Sequence, residues 1–177
     1  MDVVTADRTN PGRLHRVVWS AAIGVGSLLA VAGLSGVLSV ATVESDSMAP
    51  TYCPGGRVLV WSIGAAEGAE PGDVVTAFDP RGPGTLLKRV AAVGGQRVEV
   101  LDGVLNVDGE PVHEPYVDQA TVDGTYFGPV LVPVGSVFLM GDGREHSVDS
   151  RHFGAVERSD VTGTVLFGLG GSCPPPR

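Results

Sequence analysis

The sequence predicts a mostly β domain, a folded sheet or partly closed barrel, behind one apolar N-terminal segment. Three observations support this fold class. Beyond residue 44, short Val-rich runs alternate with Gly, Pro and Asp-Gly, as in strands joined by turns. No stretch there keeps a 3.6-residue hydrophobic period over the length of a helix. Residues 17–43 form a run of 27 residues without a formal charge, long enough for a helix that crosses a bilayer.

Length and composition narrow the class of protein. The chain has 177 residues, which fits one compact domain better than two. Its 12 basic and 20 acidic side chains give a net charge of −8, which argues against a nucleic-acid partner because such proteins need a basic face. The 26 Gly and 13 Pro follow no fixed repeat, so collagen-like and solenoid folds are excluded. Cys53 and Cys173 allow one disulfide but no thiolate-rich zinc site.

The apolar run over residues 17–43 is interpreted as a transmembrane anchor that the mature protein keeps. Trp19 near its start suits the membrane interface. The alternative is a cleaved secretory signal, because Ala30-Val31-Ala32 fits the small-x-small cleavage pattern. A signal's apolar core usually covers only about 7–15 residues, and here the run continues for eleven residues beyond Ala32. The retained anchor is therefore favoured.

Flanking charges predict the orientation of this anchor. Three arginines precede it, whereas the first charged residues after it are Glu44 and Asp46. The positive-inside rule then places the N-terminus in the cytoplasm and the bulk of the chain outside, as a single-pass protein of the cell membrane. The predicted organisation is a cytoplasmic tail (1–16), the anchor (17–43), an extracytoplasmic β domain (44–173) and a C-terminal tail (174–177).

Eight strands are predicted in the outer domain, each rich in Val and bounded by turn-forming residues. They are Arg57–Trp61, Asp73–Phe78, Thr85–Val93, Arg97–Leu101, Val104–Val107, Val130–Val132, Ser136–Met140 and Val161–Phe167. Asp102-Gly103 and Asp108-Gly109 each predict a tight reversal. Residues 108–133 are less regular and are expected to form a peripheral excursion.

One lysine, Lys88, stands against eleven arginines. Alternation along the predicted strand puts it on a face with Leu86 and Val90, while Arg89 points the other way. The ordinary pKa of a lysine is about 10.4, and burial can lower it by as much as about 3–5 units. Lys88 could therefore be a neutral amine that accepts a proton. The alternative is a lysine that reaches water along its apolar stem.

Two further segments carry hydroxyls and charges. Residues 44–51, Glu-Ser-Asp-Ser-Met-Ala-Pro-Thr, directly follow the predicted anchor and on their own would suit a solvated linker. Residues 141–154 place acids, bases and hydroxyls between glycines after an apolar strand. An ordinary polar loop could have this composition, but such loops on a β scaffold often form a functional site.

Together the three segments resemble the conserved boxes of the bacterial type I signal peptidases, which are membrane-anchored serine proteases with a Ser-Lys dyad on a β fold. The resemblance is carried by Ser-Met-Ala-Pro-Thr at 47–51, Lys-Arg-Val with a following Gly-Gly at 88–95, and Gly-Asp-Gly…Ser-Val-Asp-Ser-Arg-His-Phe-Gly at 141–154. It extends over roughly residues 17–167 and is weak between Asp102 and Pro133.

The resemblance implies a role for each matching residue. Ser47 matches the nucleophile, and Lys88 matches the general base that activates it. Ser45 matches the residue whose hydroxyl joins the Ser47 backbone N–H in the oxyanion hole. Ser147 matches a hydroxyl that orients the lysine. No metal and no cofactor is implied.

Three charged residues, Asp142, Asp149 and Arg151, match the charged framework of the last box, and Arg89 is expected to pair with one of those acids. Three positions depart from the family pattern. Gly143 stands where the family usually has Asn, Gln96 where Asp is common, and Gly56-Arg57 where Gly-Asp is usual. None of them is part of the dyad.

The implied activity is that of signal peptidase I, an endopeptidase that cuts secretory pre-proteins after a small-x-small site at the outer face of the lipid bilayer. A dedicated Ser-Lys maturation protease with few substrates remains an alternative. A self-cleaving repressor of the SOS type would need a DNA-binding N-terminus, whereas residues 1–43 are predicted to supply a membrane anchor. A non-catalytic, membrane-tethered β binding domain is the rival of another class. A Ser-His-Asp triad through His146 or His152 is disfavoured, because no Gly-x-Ser-x-Gly pattern accompanies them.

Overall fold

The computed structural model of the protein describes residues 36–118, 122, 124–170 and 173. The chain divides into two units, Met1–Val37 and Leu38–Arg177. All strands and helices of the described residues belong to the second unit.

Eleven strands, β1 to β11 in chain order, form two antiparallel sheets within the described residues. They are Leu38–Thr42, Arg57–Trp61, Val74–Phe78, Thr85–Val93, Arg97–Leu101, Val104–Val107, Glu110–Pro111, Phe127–Leu131, Ser136–Met140, Val156–Glu157 and Val161–Gly168. The larger sheet has the order β1-β2-β11-β3-β4-β9-β10, and the smaller one has the order β7-β6-β5-β8.

The seven-stranded sheet curls into a half-barrel. The pairing shifts at three places, twice along β11 and once between β4 and β9, as happens at β-bulges. A bulge bends its strand and increases the local twist, so these irregularities curl the sheet. Strand β9, between β4 and β10 in this sheet, is buried along its whole length.

In the part of the chain that the structure describes, helical structure is limited to single turns. Two α-helical turns occur, α1 at Ala65–Gly68 and α2 at Ser150–Phe153, and two 3₁₀ turns occur at Asp46–Met48 and Arg158–Asp160. The turn α2 begins at a capping box, in which the Asp149 side chain accepts a backbone N–H and the His152 ring accepts the Asp149 N–H. The absence of any long helix among the described residues agrees with the missing helical period.

Most predicted strands are confirmed. Five have the predicted bounds, namely β2, β4, β5, β6 and β9, and two more differ by a single residue at one end. Asp102-Gly103 and Asp108-Gly109 both form two-residue reversals with φ positive at each position, which is the hairpin geometry such pairs favour. The curled, mostly β architecture is therefore the fold class that the sequence predicts.

The strand predicted at Val130–Val132 is misplaced. The observed strand β8 runs from Phe127 to Leu131 and includes Gly128 and Pro129, which act as turn formers in sequence-based reasoning. It lies at the edge of the four-stranded sheet, where a proline costs no ladder hydrogen bond. The short strands β7 and β10 were not predicted.

The predicted anchor over residues 17–43 is wrong at its C-terminal end. Residues Leu38–Thr42 form strand β1, which pairs with β2 along its length from Leu38↔Trp61 to Thr42↔Arg57. The apolar, β-branched residues there serve a sheet instead of a membrane helix. The rest of the predicted anchor, up to residue 35, lies outside the described residues. Among those that are described, no helix is long and apolar enough to cross a membrane.

Cys53 and Cys173 form a disulfide, with their Cα atoms 5.3 Å apart. The bond joins two positions 120 residues apart in the sequence, so it closes a loop that includes nearly all of the outer domain. Cross-linking across so long a loop removes much of the conformational freedom of the unfolded chain.

Replacement of both cysteines by serine is therefore expected to lower the free energy of unfolding by about 2–4 kcal/mol. Urea denaturation of the double variant and of the oxidised parent measures this difference. A reduced parent should match the double variant, whereas equal stability of the oxidised parent and the double variant would contradict the expectation.

Candidate active site

Ser47 lies on the one-turn 3₁₀ helix Asp46–Met48, five residues after β1 ends at Thr42. Met48 is fully buried beneath this turn, and Ser47 is itself buried. The turn closes with the Ala49 N–H donating to the Asp46 carbonyl at 2.9 Å. The buried methionine and the turn geometry thus hold the Ser47 side chain in a defined direction.

Lys88 lies in the middle of β4, opposite Val75 of β3. Leu86, Lys88 and Val90 are all buried on one face of the strand, as predicted from the alternation. The lysine side chain is only 5% exposed. The alternative of a lysine that reaches water is therefore wrong.

The Lys88 amine and the Ser47 hydroxyl meet in this buried position. Lys88 Nζ lies 2.7 Å from Ser47 Oγ, which is hydrogen-bond distance. The amine also donates to the Leu87 carbonyl, at 3.0 Å. With one N–H directed to that carbonyl, a neutral amine can turn its lone pair toward the hydroxyl.

Burial lowers the pKa of Lys88 below its ordinary value, because the charged form loses its hydration. The Asp149 carboxylate opposes this effect, and Asp79 and Asp142 do so more weakly. The net direction is downward, so the neutral amine is favoured more than in a lysine exposed to water.

Ser45 lies beside the nucleophile candidate, with its Oγ 3.1 Å from Ser47 Oγ. Ser45 is the residue that precedes the 3₁₀ turn, and the backbone N–H of Ser47 belongs to the first residues of that turn. Backbone N–H groups at the start of a helical turn have no partner within it. The Ser47 N–H thus has no partner within the turn, and the Ser45 hydroxyl lies beside the Ser47 hydroxyl.

Arg89 and Asp142 form a two-bonded ion pair on the other face of β4. Arg89 Nε donates to Asp142 Oδ1 at 2.9 Å, and Nη2 donates to Oδ2 at 2.7 Å. The Thr51 hydroxyl donates to the same carboxylate at 2.5 Å. This bond connects the segment after the Ser47 turn to the ion pair. Burial lowers the pKa of Arg89, but the bonds to Asp142 outweigh it and raise the pKa.

Asp149 and Arg151 form a second pair, with both oxygens of the carboxylate accepting from the guanidinium at 2.9 Å. Asp149 is completely buried and also accepts the Gly141 N–H at 3.0 Å. Burial raises the pKa of this carboxyl, but Arg151 and the Gly141 N–H outweigh that effect and lower it. The carboxylate is therefore ionised in the folded protein.

Ser147 is buried near this second pair. Its Oγ makes no hydrogen bond of standard geometry within the described residues, so the expected bond that would orient Lys88 is absent. The hydroxyl lies close enough to the Asp149 carboxylate to help lower the pKa of that group.

Two glycines let the segment 141–143 pack directly against the turn Asp46–Met48, which carries Ser47. A Cβ at Gly141 would collide with the Ser47 carbonyl and with Ser147 Oγ. A Cβ at Gly143 would lie 2.7 Å from the Asp46 carbonyl oxygen. The Gly143 N–H donates to the Ser47 carbonyl at 3.0 Å. The departure from the family pattern at Gly143 thus coincides with a close backbone contact.

A cleft of about 470 Å³ opens at the Ser47 hydroxyl. One wall is formed by the end of β1 and the residues after it, 41–45, and the other by residues 84–87 at the start of β4. The wall residues Val43 and Leu86 are apolar and buried. The cleft is therefore partly apolar and adjacent to the Ser47 hydroxyl.

The histidines of the third box do not form a triad with Ser47. The His152 side chain is 55% exposed, and its ring caps α2. Its Nδ1 lies 3.9 Å from Asp149 Oδ1. His146 lines a separate cavity with Arg144 and Glu145. The serine hydroxyl has Lys88 and Ser45 as its neighbours instead.

Sequence reasoning missed three residues that contact the framework. Glu114 pairs with Arg144 at 2.5 Å, with both side chains 4% exposed. The ring of Tyr116 lies under the Arg89 guanidinium, with 3.8 Å between Cζ and the ring centroid. No motif signals these contacts, because the segment is distant in sequence from the boxes. Arg144 stands within the third box and its charge was the one available signal.

The curled β-sheet and the buried hydroxyl–amine pair define a candidate serine hydrolase with a lysine in the place of a histidine base. Comparison with known proteins narrows this class. Residues 16–169 match the family model described as "Signal peptidase, peptidase S26". The chain therefore belongs to the signal peptidase family S26, a family of serine endopeptidases.

Individual relatives agree with this family. Signal peptidase I of Bacillus licheniformis is 31% identical over 84% of this chain and 86% of its own length. Signal peptidase IB of Staphylococcus aureus (strain Mu50) is 34% identical over 71% and 74%, respectively. Signal peptidase I of Mycobacterium tuberculosis (strain H37Rv) is 35% identical over 62% of this chain, which spans only 53% of that protein. A crystal structure of a signal peptidase I from Enterococcus faecalis V583 matches with 28% identity and a TM-score of 0.49, over 54% of this chain and 94% of that one.

Substitution of Asp149 by Asn is expected to lower the free energy of unfolding by about 3–5 kcal/mol at pH 7, because Arg151 would be left as an unpaired buried charge. The pKa of Asp149 is lowered on folding, so its contribution is present above the unfolded pKa of about 3.9 and is lost as the pH falls through the folded pKa. Urea denaturation at pH 7 and at about pH 2.5, below the unfolded pKa, should therefore show a smaller difference between parent and variant at the lower pH.

Asp79→Asn is the matched control, because Asp79 binds Arg81 with the same spacing of two residues on the surface. It should change stability much less than Asp149→Asn. Equal effects of the two substitutions would contradict the importance assigned to the buried pair.

Proposed function

We propose that the protein is a signal peptidase I, which hydrolyses the peptide bond after an Ala-x-Ala-like site and so releases signal peptides from secreted pre-proteins. The single observation that supports this most strongly is the distance of 2.7 Å between Ser47 Oγ and Lys88 Nζ in a buried position. General base catalysis needs the base within about 2.6–3.2 Å of the proton that it removes. No other hydroxyl of the described residues is seen at that distance from a lysine amine.

The proposed reaction begins when the neutral Lys88 amine takes the proton of the Ser47 hydroxyl. Ser47 Oγ attacks the carbonyl carbon of the scissile bond, and the Ser45 hydroxyl and the Ser47 N–H stabilise the resulting oxyanion. The Lys88 ammonium then gives its proton to the leaving amine as the C–N bond breaks. Lys88 next activates a water molecule that hydrolyses the acyl-enzyme and restores the Ser47 hydroxyl.

The cleft supports an extended peptide as the substrate. Strand β4 pairs with β3 from Thr85 onward, but its pairing with β9 begins only at Arg89. Within the described residues, the second edge of 85–88 is therefore open to another strand. An added strand would form backbone hydrogen bonds there, and alternate side chains would enter the cleft. The cleft walls include the apolar residues Val43 and Leu86. They favour small apolar side chains, such as Ala, at the substrate positions that enter the cleft.

The framework residues support the dyad without reacting. Arg89 with Asp142 joins the second and third boxes, and Arg151 with Asp149 stabilises the third box internally. Each arginine also neutralises a carboxylate that would otherwise favour a charged Lys88 more strongly. We assign the four residues this supporting role, and Ser147 a packing role beside Gly141.

We further propose that the protein acts at the outer face of the cell membrane, with its N-terminus in the cytoplasm. The support is the uncharged run from Val17 to Val37, which is 21 residues long and follows three arginines. The lipid bilayer and secretory pre-proteins would be its partners. This arrangement would hold Ser47 near the point where a signal peptide leaves the bilayer.

Ser47→Ala and Lys88→Arg are each expected to reduce cleavage of a pre-protein with an Ala-x-Ala site by at least about 10³-fold, since each removes one member of the dyad. Cleavage in detergent or liposomes, followed on a gel, measures this loss. Ser159→Ala is the control, because Ser159 is a hydroxyl remote from the site that bonds only Glu157 in the described structure. Full activity of either dyad variant would refute the proposed mechanism.

The turnover rate is expected to rise with pH, because the reactive form of Lys88 is the neutral amine and its pKa lies below the ordinary value of about 10.4. A profile of kcat/KM between pH 5 and pH 10 measures the rise, with circular dichroism to confirm that the protein stays folded. A flat profile across that range would show that no lysine base titrates in the rate-limiting steps.

A further inference from the structure

The segment Glu114–Tyr116 links the smaller sheet to the dyad. It follows β7 of that sheet, where the Val112 N–H donates to the Leu105 carbonyl at 2.8 Å. Glu114 is 7% exposed although it carries a charge. The Tyr116 hydroxyl donates to Glu114 Oε1 at 3.1 Å, so the two side chains are joined. We name these two side chains the 114–116 clamp.

The first half of the clamp reaches the nucleophile. Arg144 donates from Nη2 to Glu114 at 2.5 Å and from Nε to the Gly141 carbonyl at 3.1 Å. Gly141 packs so closely against the Ser47 carbonyl that it has no space for a Cβ. A shift of Arg144 would therefore be transmitted through the Gly141 backbone to the Ser47 turn.

The second half reaches the base. The Tyr116 ring lies under the Arg89 guanidinium at 3.8 Å, and Arg89 is the neighbour of Lys88 on β4. The same guanidinium binds Asp142 and donates to the Gly72 carbonyl at 2.7 Å. The Tyr116 ring therefore covers one face of a guanidinium whose N–H groups are held by Asp142 and Gly72.

We infer that Glu114 and Tyr116 are positioning residues that set the separation of Ser47 Oγ and Lys88 Nζ. The inference rests on the proposed function, because it concerns the same dyad. The hydroxyl and the amine come from elements 41 residues apart in the chain. The clamp reaches the support of each: Glu114 acts through Arg144, which donates to the Gly141 carbonyl, and Tyr116 contacts Arg89 beside Lys88.

A displacement of about 1 Å in a catalytic group can cost about 10²-fold in rate. Glu114 is the acid bound to Arg144 in the described residues, so its neutralisation leaves the guanidinium without that counter-charge. The Arg144 guanidinium would then rotate toward another acceptor or toward water. Its hydrogen bond to the Gly141 carbonyl would weaken as a result. The clamp acts through this bond and not through contact with a substrate.

Glu114→Gln in the full chain is expected to lower kcat at least about 10-fold with KM changed less than about 2-fold, because positioning affects the chemical step. Tyr116→Leu should give a smaller loss of the same kind, and Tyr116→Phe, which keeps the ring under Arg89, a loss below that of Tyr116→Leu. Glu157→Gln is the control, an acid-to-amide change at an exposed position of β10. Each variant is assayed at a temperature at which it is folded.

A second readout does not depend on proteolysis. In a Ser47→Cys background with the native disulfide intact, the new thiol is the one free thiol of the chain. The Lys88 amine can take the proton of the thiol and hold the thiolate as an ion pair, so the rate of alkylation by iodoacetamide and its pH midpoint report the contact with Lys88. Glu114→Gln should slow alkylation at pH 7 by at least about 3-fold and raise the midpoint.

The outcomes separate the two hypotheses. A folded parent that fails to cut Ala-x-Ala substrates would refute the proposed function, while the alkylation experiment would still test the clamp. A parent that cuts them, together with folded Glu114→Gln and Tyr116→Leu variants that keep the parental kcat, alkylation rate and pH midpoint, would refute the clamp. If Glu114→Gln does not fold, the comparison of Tyr116→Leu with Tyr116→Phe decides alone.

Discussion

The structure depends on the burial of a single amine against a hydroxyl. Lys88 Nζ lies 2.7 Å from Ser47 Oγ, and burial lowers its pKa. An unshielded carboxylate at this place would restore the positive charge, so the acids around the amine need partners of their own. Asp142 and Asp149 each bind an arginine in a two-bonded pair. The charged framework thus lets the boxes pack together and limits the field that the amine experiences.

Close backbone contact is the second requirement. The segment 141–143 lies on the nucleophile turn so tightly that side chains at Gly141 and Gly143 would meet backbone oxygens. The same segment offers the Gly141 N–H to Asp149 and the Gly143 N–H to Ser47. Glycines at 141 and 143 allow this polar loop to pack against the turn that carries the Ser47 hydroxyl. The density of glycines and charges in the third box therefore has a geometric cause.

Much of the fold and the centre of the site could be predicted from the sequence. The strand periods of Val-rich runs placed β4 correctly and put Lys88 on the buried face. The resemblance of the three boxes identified Ser47 and Lys88 as candidates for the dyad from the sequence. Strand β1 was missed because its residues continue an apolar run, and hydropathy alone does not separate the end of a membrane segment from an edge strand. Glu114 and Tyr116 were missed because their contacts depend on tertiary structure and leave no periodic signal.

The most direct measurement is the pKa of the amine itself. The chain contains one lysine, so labelling with ¹⁵Nζ,¹³Cε-lysine gives one side-chain signal that can be titrated by NMR without assignment. The folded protein should show a midpoint below about 10.4, and unfolding in urea should return it to that value. Equal midpoints in the folded and unfolded chain would contradict a buried amine that is poised to act as a base.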